Sequence, residues 1–174
     1  MFRPLRSPIE LATGGRDGQA VRMASWSDVE REVPEFAARV RALFDARKHK
    51  TIATVRADGS PRISGIEAEF DGGSLTFGSM PGARKGADLG RDPRFALHSA
   101  TIDPPEDDPS GWPGEAKIAG RAVLAGDIDG DEASGQLFRA DVDEVVLTKL
   151  TEAGDRLLIE LWRPGQALRR IERD

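Results

Sequence analysis

The sequence predicts a mainly β protein, an antiparallel barrel or sandwich of six or seven strands with a few flanking helices. Two observations carry this. Short apolar–polar alternations follow one another across tight-turn signals such as Asp58-Gly59 and Asp71-Gly72-Gly73. Successive strands also lack intervening helices, which argues against a βαβ dinucleotide-binding fold. The 174 residues suit one domain with a real core.

The elements follow in chain order. Met1–Arg22 carries Arg3, Arg6, Arg16 and Arg22 against Glu10 and Asp17, so it is basic in a chain of formal net charge −5. It has poor apolar periodicity and no signal-peptide core, and is expected to be a disordered extension ahead of a domain over 23–174. Ser27 and Glu30 fit a capping box. Pro34 suits the first turn of a second helix, with Val33, Phe36, Ala37, Val40 and Phe44 on one face. That helix is expected to end near Arg47–Lys50, with His49 beside its negative terminus.

The period then changes to two. Strands are expected at Thr51–Ala57, Pro61–Phe70 and Leu75–Ser79. Pro81-Gly82 breaks the third, and a short helix spans Ala83–Gly90. Arg94–Thr101 is a fourth strand. Ile102–Pro113 is a proline-rich acidic loop, and Glu115–Ala125 a long strand. A short helix is expected at Asp131–Arg139. Asp143–Leu150 and Arg156–Trp162 form the last hairpin, leaving Arg163–Asp174 as a partly ordered basic tail.

Composition narrows the function. With no cysteine, disulfides, thiolate chemistry and Cys-ligated metal sites are excluded, in keeping with a reducing, cytoplasmic setting. No apolar run is long enough for a transmembrane helix. Net acidity argues against a general nucleic-acid binder. No metal site is expected. Asp127–Asp131 resembles the start of a calcium loop, but Glu132 and Phe138 stand where such a loop needs Gly and Glu.

The informative stretch is Thr76–Leu97. A strand ends at Ser79, a Pro-Gly turn follows, and Arg84-Lys85 open a helix. A hydroxyl, turn amides, two cations and a helix N-terminus all favour a phosphate there. A solvated basic pair is the plain alternative. On the preceding strand Arg62, Ser64, Ile66, Ala68 and Phe70 share one face. That face suits the mouth of a ligand groove, or else Arg62 forms an ordinary rim salt bridge. His98 reads as a structural hydrogen-bonding residue rather than a ligand contact. Trp112 either covers a partner's ligand or holds its own loop down, and Trp26 seats the first helix.

The runs DGSPRIS, TFGSMPGARKGADLGRDPRFAL and ELWRPG resemble the pyridoxamine 5′-phosphate oxidase-like superfamily of FMN-binding split barrels, from about Ala24 to Arg170. The resemblance implies a split β-barrel. It implies that Ser79, with Gly78 beside it, and Arg84 and Lys85 hold an FMN phosphate. The strand arginine that reaches this phosphate in the true oxidases falls on Ser64, with Arg62 two residues earlier. It implies that Trp162 lies beside the flavin ring, and that two chains form a homodimer with cofactor sites across the interface.

The oxidases' Arg-Leu-His-Asp-Arg run, which grips their substrate, is replaced by Ala167-Leu168-Arg169-Arg170-Ile171-Glu172. A true pyridoxamine phosphate oxidase is therefore not expected. The expectation is an oxidoreductase moving hydride between FMN, or the deazaflavin coenzyme, and an unidentified small molecule. The alternatives are a non-catalytic flavin or haem carrier or stress-related binding protein on the same fold, or a cofactor-free interaction module. No catalytic side chain is identified.

Overall fold

The computed structural model describes residues 23–128 and 135–174. Two helices, α1 (Trp26–Glu32) and α2 (Pro34–Asp45), lead into strands β1 (His49–Val55), β2 (Pro61–Asp71) and β3 (Ser74–Ser79). Helix α3 (Arg84–Arg91) precedes β4 (Arg94–His98). A 3-10 turn at Pro109–Gly111 lies in the loop before β5 (Glu115–Ile128), and β6 (Gly135–Leu150), β7 (Leu157–Trp162) and β8 (Arg169–Arg173) follow. The sheet order is β3-β2-β1-β4-β5-β6-β7-β8, and β3 also pairs with β6. That pairing closes six antiparallel strands into a barrel, with β7 and β8 continuing the sheet beyond it.

The alternation read from the sequence builds the interior. Ile66, Ala68 and Phe70 of β2 are buried, as are Leu75 and Phe77 of β3 and Phe95 and Leu97 of β4. Phe77 meets Phe95 at 5.2 Å and Phe138 at 6.0 Å between ring centroids. Outside the barrel, Trp26 packs on Phe70 at 4.5 Å and donates from Nε1 to Glu30, so it does seat the first helix. Pro34 opens α2, and Phe36, Ala37, Val40 and Phe44 form its buried face. No described helix is long and apolar enough to cross a membrane.

Several expectations are corrected. The first cap lies two residues earlier than Ser27/Glu30: Ser25 is the N-cap and Asp28 completes the box. Arg31 and Ser25 hold the Asp28 carboxyl down to about 2. Helix α2 stops at Asp45, so His49 opens β1 beside Glu67 and is not at a helix end.

The helix expected at Asp131–Arg139 is contradicted from Gly135 on, where β6 begins; residues 131–134 lie outside the described residues, as do 1–22. Phe138, Ala140 and Val142 alternate inward, and two neighbours, β3 and β5, hydrogen-bond this stretch. Pairing on both sides decides for strand over the expected helix. The tail also differs, since β8 pairs Arg169–Arg173 with β7. Buried Glu160 of β7 accepts from Arg170 and from Arg39 of α2, tying the tail to the body.

Candidate functional site at the head of helix α3

The chain between β3 and α3 is shaped by Met80–Ala83. The Ala83 amide donates to the Met80 carbonyl at 3.1 Å, and Gly82 takes a φ of +69° that a side chain would resist. This turn sets α3 across the end of the barrel. Ala83 caps the helix without any side-chain hydrogen bond. The amides of Arg84 and Lys85, in the first turn, have no intrahelical acceptor and are left for another group.

Ser79 lies directly beneath that turn. It is 1% exposed, and its Oγ is buried without a hydrogen-bond partner among the described residues. The approach is close. A Cβ added at Gly86 would lie 2.7 Å from Ser79 Oγ and 2.5 Å from Gln136 Oε1. Glycine at 86 therefore lets the helix head sit on the end of β3. A Cβ at Gly78 would meet Ile128 Cδ1 at 2.8 Å, so glycine there keeps the neighbouring floor low.

A groove of about 710 Å³ opens beside this point, over the outer faces of β2, β3 and β6. Gly65, Glu67, Thr76, Gly78, Met80 and Lys85 front it. Its size falls in the range of roughly 300–1,000 Å³ usual for small-molecule sites. Lys85 reaches over one end and donates from Nζ to the Gly65 carbonyl at 3.2 Å. Arg84 is exposed. Among the described residues neither cation has an ion-pair partner. Two cations at a helix N-terminus oppose its dipole. An anion between them and the open amides removes that conflict.

Four sequence-predicted residues, Gly78, Ser79, Arg84 and Lys85, thus meet at one place. The other three do not join them. Arg62 lies on the inward face of β2 and donates from Nε to Asp88 at 2.6 Å, the rim salt bridge foreseen as the alternative. Ser64 shares that inward parity, half-buried. The groove is fronted by the opposite parity, Gly65, Glu67 and Glu69, which sequence reading passed over. The signal was present: apolar side chains occupy only even positions from 66 to 70, so the odd ones face outward.

Trp162 is fully enclosed and donates from Nε1 to Glu32 at 3.1 Å. It presents no surface to a ligand in this chain. His98 donates from Nδ1 to the Ser99 carbonyl, and its Nε2 lies 3.3 Å from Glu115, a structural arrangement. Trp112 donates to the Ile102 carbonyl at 2.7 Å, bracing its own loop.

Asp88, unforeseen in the sequence, organises the ground under the site. It is buried and accepts from Thr54 Oγ1 at 3.0 Å, Arg62 Nε at 2.6 Å and Arg91 Nη2 at 3.2 Å. The Arg62 hydrogen bond, above all, holds its carboxyl below the usual carboxylate range against the opposing effect of burial. The network pins α3 to β1 and β2. It follows from the helix crossing the barrel end, which no local pattern announces.

A flavin phosphate fits this donor set. The orphaned Ser79 hydroxyl, the uncapped amides and the two cations match a dianion, and the groove beside them has room for the rest of the molecule.

Comparisons with known proteins agree with this architecture. Residues 36–161 match the family model described as pyridoxamine 5′-phosphate oxidase. None of the curated proteins matches the sequence. Among solved structures, a pyridoxamine 5′-phosphate oxidase-related, FMN binding protein from Nostoc punctiforme aligns with a TM-score of 0.54 and 13% identity, over 84% of this chain and 96% of that one. PhzG from Burkholderia lata, in complex with tetrahydrophenazine-1-carboxylic acid, aligns at 0.52 with 14% identity, covering 85% and 91%. A heme binding protein from Mycobacterium smegmatis aligns at 0.50 with 17% identity, covering 77% of this chain and 56% of that one. At these identities the likeness is one of fold. The family model spans well over half of the sequence, and the chain belongs to the pyridoxamine 5′-phosphate oxidase family.

Proposed function

We propose that the protein binds a flavin-type cofactor, FMN or the deazaflavin coenzyme, in the groove over β2, β3 and β6, and uses it for hydride transfer with a small molecule. The observation that carries the reading is the buried, unpartnered Ser79 hydroxyl beneath an uncapped helix head bearing Arg84 and Lys85. Ser79 and the first-turn amides donate to the phosphate, and the two cations balance its charge. The bound ring supplies the two-electron chemistry, and the chain supplies position and shelter from water.

The dimer belongs to this proposal. Met80 and Ile63 are each 76% exposed, and Ile128 is also exposed. Met80 and Ile128 line the groove, and Ile63 stands on the same outward face of β2. Large exposed apolar side chains around a ligand groove suit a second copy of the chain that completes it. A non-catalytic carrier on the same fold is the second reading. It is favoured by Ala167–Glu172, which lacks the substrate-gripping His and Asp and is partly taken up in β8.

The test is a fluorescence titration of the cofactor-stripped protein with FMN and, separately, with the deazaflavin. Arg84→Ala with Lys85→Ala should weaken binding by about 3 kcal/mol or more, since each charge-assisted contact contributes roughly 1.5–3 kcal/mol. Unchanged affinity in that variant would sink the phosphate assignment. Binding of neither cofactor turns attention to haem or to an interaction module. Binding without turnover on a panel of acceptors favours the carrier.

A further inference from the structure

Helix α3 has a second charged end. Where it runs into β4, beside the β1–β2 turn, a cleft of about 530 Å³ is lined by Arg56, Arg91, Arg94 and Arg121, with Asp92 as the only acidic one among the described lining residues. This cleft shares no lining residue with the groove at the helix head. The helix between them has eight residues, so at about 1.5 Å per residue the two sites stand roughly 12 Å apart along it.

The arginines are not interchangeable surface charges. Arg94 and Arg121 are direct register partners on β4 and β5, and like charges facing each other across a ladder destabilise it. Asp92 relieves part of this. It accepts from Arg94 Nε at 2.9 Å, and the bond brings its carboxyl to about 2. Arg91 is anchored by its Nη2, which donates to the Val55 carbonyl at 2.6 Å and to Asp88 at 3.2 Å. Its remaining donors are therefore carried on a side chain already held in place.

Arg56 and Arg121 have no carboxylate within ion-pair distance among the described residues. Asp58 acts on Arg56 only through space, and so do Asp92 and Asp143 on Arg121. Arg94 is paired with Asp92 and Arg91 with Asp88, which leaves Arg56 and Arg121 as the cations on the cleft wall without an ion-pair partner among the described residues. Guanidinium groups lining one concavity suit an oxyanion of at least two charges, and a phosphate group, with more peripheral oxygens than a carboxylate, can pair with more than one of them.

We infer that the cleft formed by Arg56, Arg91, Arg94 and Arg121 is a second anion site, which takes the phosphate group of a small molecule. The site does not depend on the flavin reading, because none of its residues contributes to the groove. Its ligand is either a second substrate or effector, or a phosphate-bearing extension of a molecule seated near α3.

The experiment is calorimetric titration of the full chain with inorganic pyrophosphate at about 0.15 M salt, where unspecific surface attraction is screened. The background is Arg84→Ala with Lys85→Ala, which removes the cations at the helix head. Saturable binding in this background, weakened at least about 10-fold by adding Arg56→Ala and Arg121→Ala, supports the site. Both added positions are exposed, and a melting curve confirms that each variant is folded. Lack of saturable binding overturns the inference. So does binding that ignores Arg56 and Arg121. Citrate is titrated in parallel, and tighter binding of citrate than of pyrophosphate overturns the assignment of a phosphate.

Discussion

Replacing Asp88 with alanine should remove the anchor of α3. The carboxylate is 5% exposed and its main partner, the Arg62 side chain, is 18% exposed. Truncation leaves a largely buried guanidinium with no counter-charge, and breaking a pair of this kind costs roughly 3–5 kcal/mol. The Thr54 hydroxyl also loses its acceptor, while Arg91 is more exposed, can turn to water and adds little. The assay is urea denaturation of wild type and Asp88→Ala, extended to a double-mutant cycle with Arg62→Leu. The double variant should recover part of the loss, because the orphaned charge is gone. A destabilisation below about 1 kcal/mol for Asp88→Ala would refute the reasoning, since it would mean that Arg62 is already hydrated. The pH dependence has a definite sign. Asp88's folded pKa is depressed, so its contribution is complete above the unfolded value of about 3.9 and is lost as pH falls through the lower folded value. Asp88→Asn should flatten the acid limb of the stability curve.

Two further outcomes are expected. Glu160 is 1% exposed but its partners Arg39 and Arg170 are much more open, so Glu160→Gln should cost only about 1–2 kcal/mol and loosen β8, read as faster amide exchange over 169–173. Burial raises the Glu160 carboxyl, but the two arginines outweigh it and bring the net value below normal; this stabilisation therefore also holds above the unfolded pKa and fades as pH drops through the folded one, which melting at pH 7 and pH 4 will register as a smaller difference between wild type and Glu160→Gln at the lower pH. Trp162→Ala should cost about 3–5 kcal/mol by opening a cavity, whereas Trp162→Phe, which keeps most of the volume, should leave flavin affinity unchanged; a marked loss of affinity in the phenylalanine variant would return Trp162 to the cofactor.

What the sequence determined by itself was local. Alternation of apolar side chains sets the strands from β1 to β5, Pro34 opens α2, and the Pro81-Gly82 turn forces a break between Ser79 and Arg84. Those few covalent steps already bring the hydroxyl, the helix head and the two cations together, because they are neighbours in the chain. Tertiary structure decided what depends on distant partners. Residues 135–139 become strand because β3 and β5 both pair with them, and the 169–173 segment becomes strand because β7 offers a free edge. Arg62 turns away from the groove, where Asp88 of α3, 26 residues later, meets it. Trp162 is sealed into the core by helices from the other end of the chain, where Glu32 takes its N–H. Side-chain parity fixes which residues share a face, but which face meets the core or a ligand is settled only by what the rest of the chain lays against it.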